Sequence, residues 1–94
     1  MALDDILTQR EVKIVNPLGL HARPAGQFVK LANTFASEIE MGNEAMMVNG
    51  KSILGVMMVA AECGSTIRIK AVGADAEQAV TALAALVERG FGER

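Results

Sequence analysis

Thr66-Ile67-Arg68-Ile69-Lys70-Ala71 alternates strictly between apolar and polar residues. That period of two constrains the fold more than any other feature of the chain. A strand with this pattern turns Ile67, Ile69 and Ala71 to one face and Arg68 and Lys70 to the other, so it calls for a sheet with one dry side. Glu11-Val12-Lys13-Ile14-Val15 and Glu38-Ile39-Glu40-Met41 follow the same rule. Ala45-Met46-Met47-Val48 makes a further strand, joined to its predecessor through a turn at Gly42-Asn43 as a hairpin.

Between these strands the period changes to that of a helix. From Pro24 onward Ala25, Phe28, Val29, Ala32 and Phe35 recur at helical spacing, leaving Gln27, Lys30 and Asn33 outside. Gly26 weakens this run by about 1 kcal/mol relative to alanine, and close packing against a neighbour is the expected reason for it. Lys51 to Ala61 reads as a second apolar helix, capped by Ser52 and ended by Gly64. In a third, Ala76, Ala79, Val80, Leu83, Leu86 and Val87 form the buried stripe, with Asp75 as cap and Gly90 and Gly92 as terminators.

The order is therefore βαββαβα. It predicts an α+β open-faced β-sandwich, a four-stranded antiparallel sheet with three helices on one face. Ninety-four residues make a single domain, 1–94, with 1–9 a short N-terminal extension and 90–94 a C-terminal tail. With three phenylalanines and no tryptophan or tyrosine, the core falls to Val, Ile, Leu, Ala and the six methionines.

A net charge of -2 with acids and bases interspersed, and too few aromatics for stacking platforms, argue against nucleic acid as a partner. Cys63 is the only cysteine, so no intramolecular disulfide can form. It reads as a small, partly buried hydrophobe in a reducing compartment. The start of the chain lacks a basic segment followed by an apolar run, and no stretch approaches membrane-spanning length. The expectation is a soluble cytoplasmic monomer without membrane insertion.

The only histidine, His21, lies in Gly19-Leu20-His21-Ala22-Arg23-Pro24-Ala25-Gly26, where a strand pattern gives way to a helical one. Pro24 suits a first helical turn. The helix starts at Ala22 or, given the restriction on the residue before proline, only at Pro24. Either way His21 stands at or just before a helix N-terminus, beside the permanent charge of Arg23. Unpaired N–H groups there favour an anion, and a neutral imidazole at an anion site could carry a phosphoryl group. The competing reading is a polar cap or surface residue. No aspartate or cysteine lies nearby in sequence to suggest a triad or metal site.

The segment Gly19 to Ala25 resembles the active-site signature of HPr, the histidine-containing phosphocarrier family of the bacterial phosphotransferase system. Asn49-Gly50-Lys51-Ser52-Ile53-Leu54-Gly55-Val56-Met57 resembles that family's regulatory-serine region. The likeness runs from about Glu11 to Val87 in matching element order. It implies that His21 is phosphorylated on Nδ1 by phosphorylated enzyme I and passes the group to a histidine of an enzyme IIA domain. It implies that Arg23 pairs with the phosphate, aided by the helix start at Ala22 and Pro24. Ser52 matches the serine modified by a dedicated HPr kinase, and Ile53, Leu54 and Met57 match a docking surface. The implied role is that of a stoichiometric carrier, not an enzyme, without metal or cofactor. Sugar uptake and a nitrogen-related branch both fit. The alternative is a regulatory binding module acting through its phosphorylation state.

Overall fold

The computed structural model describes residues 6–93. Four strands and three helices follow in the expected order: β1 Leu7–Lys13, α1 Ala22–Ala32, β2 Glu38–Gly42, β3 Met47–Asn49, α2 Ile53–Val59, β4 Thr66–Val72 and α3 Ala76–Glu88. A 3-10 turn, Gly90–Gly92, comes last. The strands pair antiparallel in the order β1-β4-β2-β3. β4 is thus a central strand, with β1 and β2 at its two edges, and its alternation follows from one face being covered and the other wet. Ile67, Ile69 and Ala71 are buried, as are Val12, Ile39 and Met41 on the neighbouring strands. The wet face pairs its charges in register: Glu11 opposes Arg68, and Glu40 opposes Lys70. Both form exposed ion pairs, at 3.1 and 3.9 Å, of the kind that adds little stability.

Several boundaries move. β1 begins at Leu7 and not after residue 9, so part of the predicted extension is strand; Met1 to Asp5 lie outside the described residues. Leu7 to Arg10 pair with Val72 to Ile69. Thr8 and Arg10, which share the helix-side face with Val12 by alternation, are polar and hide the period. β3 is shorter than expected because the Asn43 carboxamide oxygen accepts from the N–H groups of Ala45 (2.9 Å) and Met46 (3.1 Å), drawing both into the turn.

α2 ends at Val59, not at Gly64. Ala60 takes a left-handed φ of 51°, and the Ala61 carbonyl leaves the helix to accept from Leu20 N–H at 2.9 Å. Asp75 precedes α3 but makes no capping bond; its carboxylate reaches across to the loop after α1. Of the methionines among the described residues only Met41 is fully buried, while Met57 and Met58 are exposed. The core is instead filled by Phe28, Ile14, Ile67, Ile69, Leu83, Val56, Val80 and Val87. Cys63 is exposed, not part of that core.

Candidate functional site

The loop between β1 and α1 is built to deliver His21 to a helix start. Gly19 adopts φ 68°, and a Cβ there would lie 2.5 Å from the Ala61 carbonyl oxygen, so both conformation and space require glycine. Gly19 N–H donates to Asn16 C=O (3.0 Å) and His21 N–H to Gly19 C=O (3.0 Å). The Leu20–Ala61 bond ties this loop to the chain leaving α2. α1 starts at Ala22, the earlier of the two expected positions.

His21 is the N-cap residue, with extended backbone, and its carbonyl accepts from Ala25 N–H at 3.0 Å. The imidazole, however, makes no capping bond. Its side chain is 35% exposed, and Nε2 lies 2.9 and 3.1 Å from the two carboxylate oxygens of Glu93. Asn16, only 1% exposed, donates through Nδ2 to the same carboxylate (3.0 Å) and to Gly19 C=O (2.8 Å). Glu93 is held below the usual carboxylate range chiefly by its hydrogen bond with His21, against a desolvation that works the other way; Asn16 and the Arg23 charge add to the lowering.

Glu93 and Asn16 were not legible in the sequence. The segment after the Gly90 and Gly92 terminators reads only as a short C-terminal tail, yet its turn brings Glu93 onto a residue 72 positions earlier. Asn16 stands in Asn16-Pro17-Leu18-Gly19, a run whose residue types signal only a turn after the β1 alternation. No local periodicity could have announced either contact.

Arg23 stands exposed in the first turn of α1 and makes no ion pair among the described residues. With Leu18, Gln27, Phe91 and Glu93 it lines an open hollow of about 400 Å³. Ala22 and Arg23 are the first-turn residues whose N–H groups have no intrahelical acceptor. Pro24 is buried and has no N–H, so it sets φ and packs but cannot donate.

Ser52 does cap α2, accepting from Gly55 N–H at 3.2 Å. The face beyond it is apolar and open: Ile53, Leu54, Met57 and Met58 are all exposed, whereas Val56 and Val59 are the residues α2 buries. Leu18, beside the His21 loop, is 76% exposed. α2 packs against α1 and β3, and the Leu20–Ala61 bond keeps its far end beside the loop that carries His21. Among the described residues no cluster of His, Cys, Asp or Glu could hold a metal ion, and no helix is long and apolar enough to cross a membrane.

A family model described as the PTS HPr component phosphorylation site matches residues 8–89. This chain belongs to the HPr family. Phosphocarrier protein HPr of Cupriavidus necator is 44% identical over 87 residues, covering 93% of this chain and 98% of that protein. Phosphocarrier protein NPr of Proteus mirabilis is 42% identical over 85 residues, 89% of this chain and 94% of that one. The crystal structure of HPr-C-His from Thermoanaerobacter tengcongensis superimposes with a TM-score of 0.88 at 40% identity, covering 93% and 98% of the two chains. The four-stranded open sandwich is therefore the HPr fold, and the chain is an HPr-family phosphocarrier of the phosphotransferase system.

Proposed function

We propose that His21 is the phosphoryl acceptor, taking the group on Nδ1 from phosphorylated enzyme I and passing it to a histidine of an enzyme IIA domain. The observation that carries this reading is the placement of one half-buried imidazole at the open start of α1, with Nε2 engaged by Glu93 and no hydrogen bond to Nδ1 from any described residue. A neutral imidazole nitrogen attacks phosphorus without a general base. The remaining requirements are in-line positioning and neutralisation of the equatorial oxygens. The unpaired amides of Ala22 and Arg23 and the unpartnered guanidinium supply these, the guanidinium through a fork that matches two phosphate oxygens.

The chain then acts as a stoichiometric carrier, phosphorylated and dephosphorylated once per cycle. One exposed arginine on an open surface steadies the group without trapping it. The exposed apolar residues Ile53, Leu54 and Met57 support a docking role, and methionine adapts to more than one partner. Ser52 phosphorylation by an HPr kinase would place about -2 of charge beside that face and hinder docking, while suiting the helix dipole. A single cysteine fits work in the reducing cytoplasm.

Incubation with enzyme I, magnesium and labelled phosphoenolpyruvate tests the reading. Acid-labile, base-stable label on the wild type and none on His21→Ala is expected. Equal labelling of the two would move the site elsewhere.

A further inference from the structure

We infer that Glu93 is a positioning residue that keeps the proton of the neutral His21 ring on Nε2 and so presents the Nδ1 lone pair, with Asn16 holding the carboxylate in place. This rests on the reading of His21 as phosphoryl acceptor and names what orients its ring.

A neutral imidazole carries one N–H, and the partner of one nitrogen decides the role of the other. An ionised carboxylate only accepts, so a ring nitrogen 2.9 Å from Glu93 must donate. Asn16 cannot be turned the other way, because both groups facing its Nδ2, Gly19 C=O and Glu93 Oε1, are acceptors. Its Oδ1 is left buried without a partner, a rare and unfavourable state.

A second strained feature serves the same contact. Gly90, Phe91 and Gly92 take φ of 66°, 58° and 74° in succession. Left-handed backbone suits the glycines but not a bulky phenylalanine. Phe91 is nonetheless 4% exposed, anchored in the core, and the chain leaves that turn with Glu93 against His21. Strain of this kind concentrates where a surrounding structure enforces a functional geometry.

The transfer steps then balance simply. The Nδ1 lone pair forms the N–P bond as the donor phosphohistidine's N–P bond breaks, its electron pair returning to the donor nitrogen. Nε2 keeps its proton, and the ring becomes a cation facing the Glu93 carboxylate. In the onward step the N–P bond breaks with its pair returning to Nδ1, and a neutral imidazole is the leaving group.

Long-range ¹H–¹⁵N correlation spectra of the full, unphosphorylated chain test this at about pH 8.5, above the ordinary imidazole range. The wild type is expected to show widely separated ring nitrogen shifts, with the N–H on Nε2. Glu93→Ala should bring the two shifts toward each other, as in a free imidazole, and Asn16→Ala should do so to a lesser degree. Glu93→Gln, whose amide oxygen can still accept, should restore the separation. A melting curve shows that each variant is folded. Unchanged ring shifts in folded Glu93→Ala would overturn the inference. The spectra need no phosphoryl donor, so a ring that responds as expected in a chain that takes no label from enzyme I would refute the carrier reading alone.

Discussion

Asp75 and Ser37, 38 positions apart, are joined twice: the carboxylate accepts from the Ser37 N–H at 2.9 Å and from its hydroxyl. A third bond comes from Ala36 N–H, also at 2.9 Å. The residue that by position should cap α3 instead staples the α1–β2 loop to the β4–α3 turn. Gly73 completes the junction, since a Cβ there would lie 2.8 Å from the Ser37 Cα.

The three donors hold the Asp75 carboxyl below its ordinary 3.8, the Ser37 hydroxyl most of all. A group whose value is lowered by folding stabilises the native state above its unfolded pKa, and that contribution is lost as pH falls through the folded value. Asp75→Ala is therefore expected to lower Tm at pH 7. The gap to the wild type should shrink as pH drops below 3.8. Melts monitored by circular dichroism across that range check this; a pH-independent gap would show that the carboxylate charge is not what matters.

Gly26 has room to spare. A Cβ there would meet only Ile53 Cδ1, at an ordinary 3.8 Å, and its φ is not left-handed. Close packing is thus not its reason, contrary to expectation. Gly26→Ala should stabilise the protein by about 1 kcal/mol, raising Tm by about 4–8 °C. A lower Tm would reveal a constraint on α1 that its surroundings do not show.

Ser52→Ala removes the cap of α2 and should cost about 1 kcal/mol. Ser52→Asp keeps an acceptor and adds charge at the helix start, so its melting point should stay near wild type. Its rate of phosphorylation by enzyme I should fall, because the charge sits beside exposed Ile53 and Leu54. An unaltered rate would separate Ser52 from regulation and leave it a cap.

Arg23→Ala should slow transfer through His21 by on the order of 100-fold, the scale of losing one preorganised donor to developing charge. Stability should change by less than about 0.5 kcal/mol, as for an exposed residue without a partner. Arg23→Lys should recover only part of the rate, since a point charge lacks the paired donors. A large loss of Tm would make Arg23 structural.

Much of this was readable in the residues because it is periodic or motif-borne. Alternation in Thr66 to Ala71 and helical spacing from Ala25 to Ala32 determined the elements and the open-faced architecture. Side-chain direction repeats locally, so one dry face can be read without knowing what covers it. His21, Arg23 and Ser52 stood out for the same reason, each at a helix start marked by neighbouring glycine or proline.

Tertiary structure decided whatever depends on chain segments meeting across long separations. It gave β1 its first four residues, which pair through backbone and carry no apolar signature. It turned Asp75 away from its own helix to Ser37. It brought Glu93 to the ring of His21, held by an asparagine on the opposite side of the sequence. That last contact is set by the packing of Phe91 and by the left-handed turn around it. No local pattern encodes where those place a side chain, because only the assembled core fixes the distance between the groups that meet.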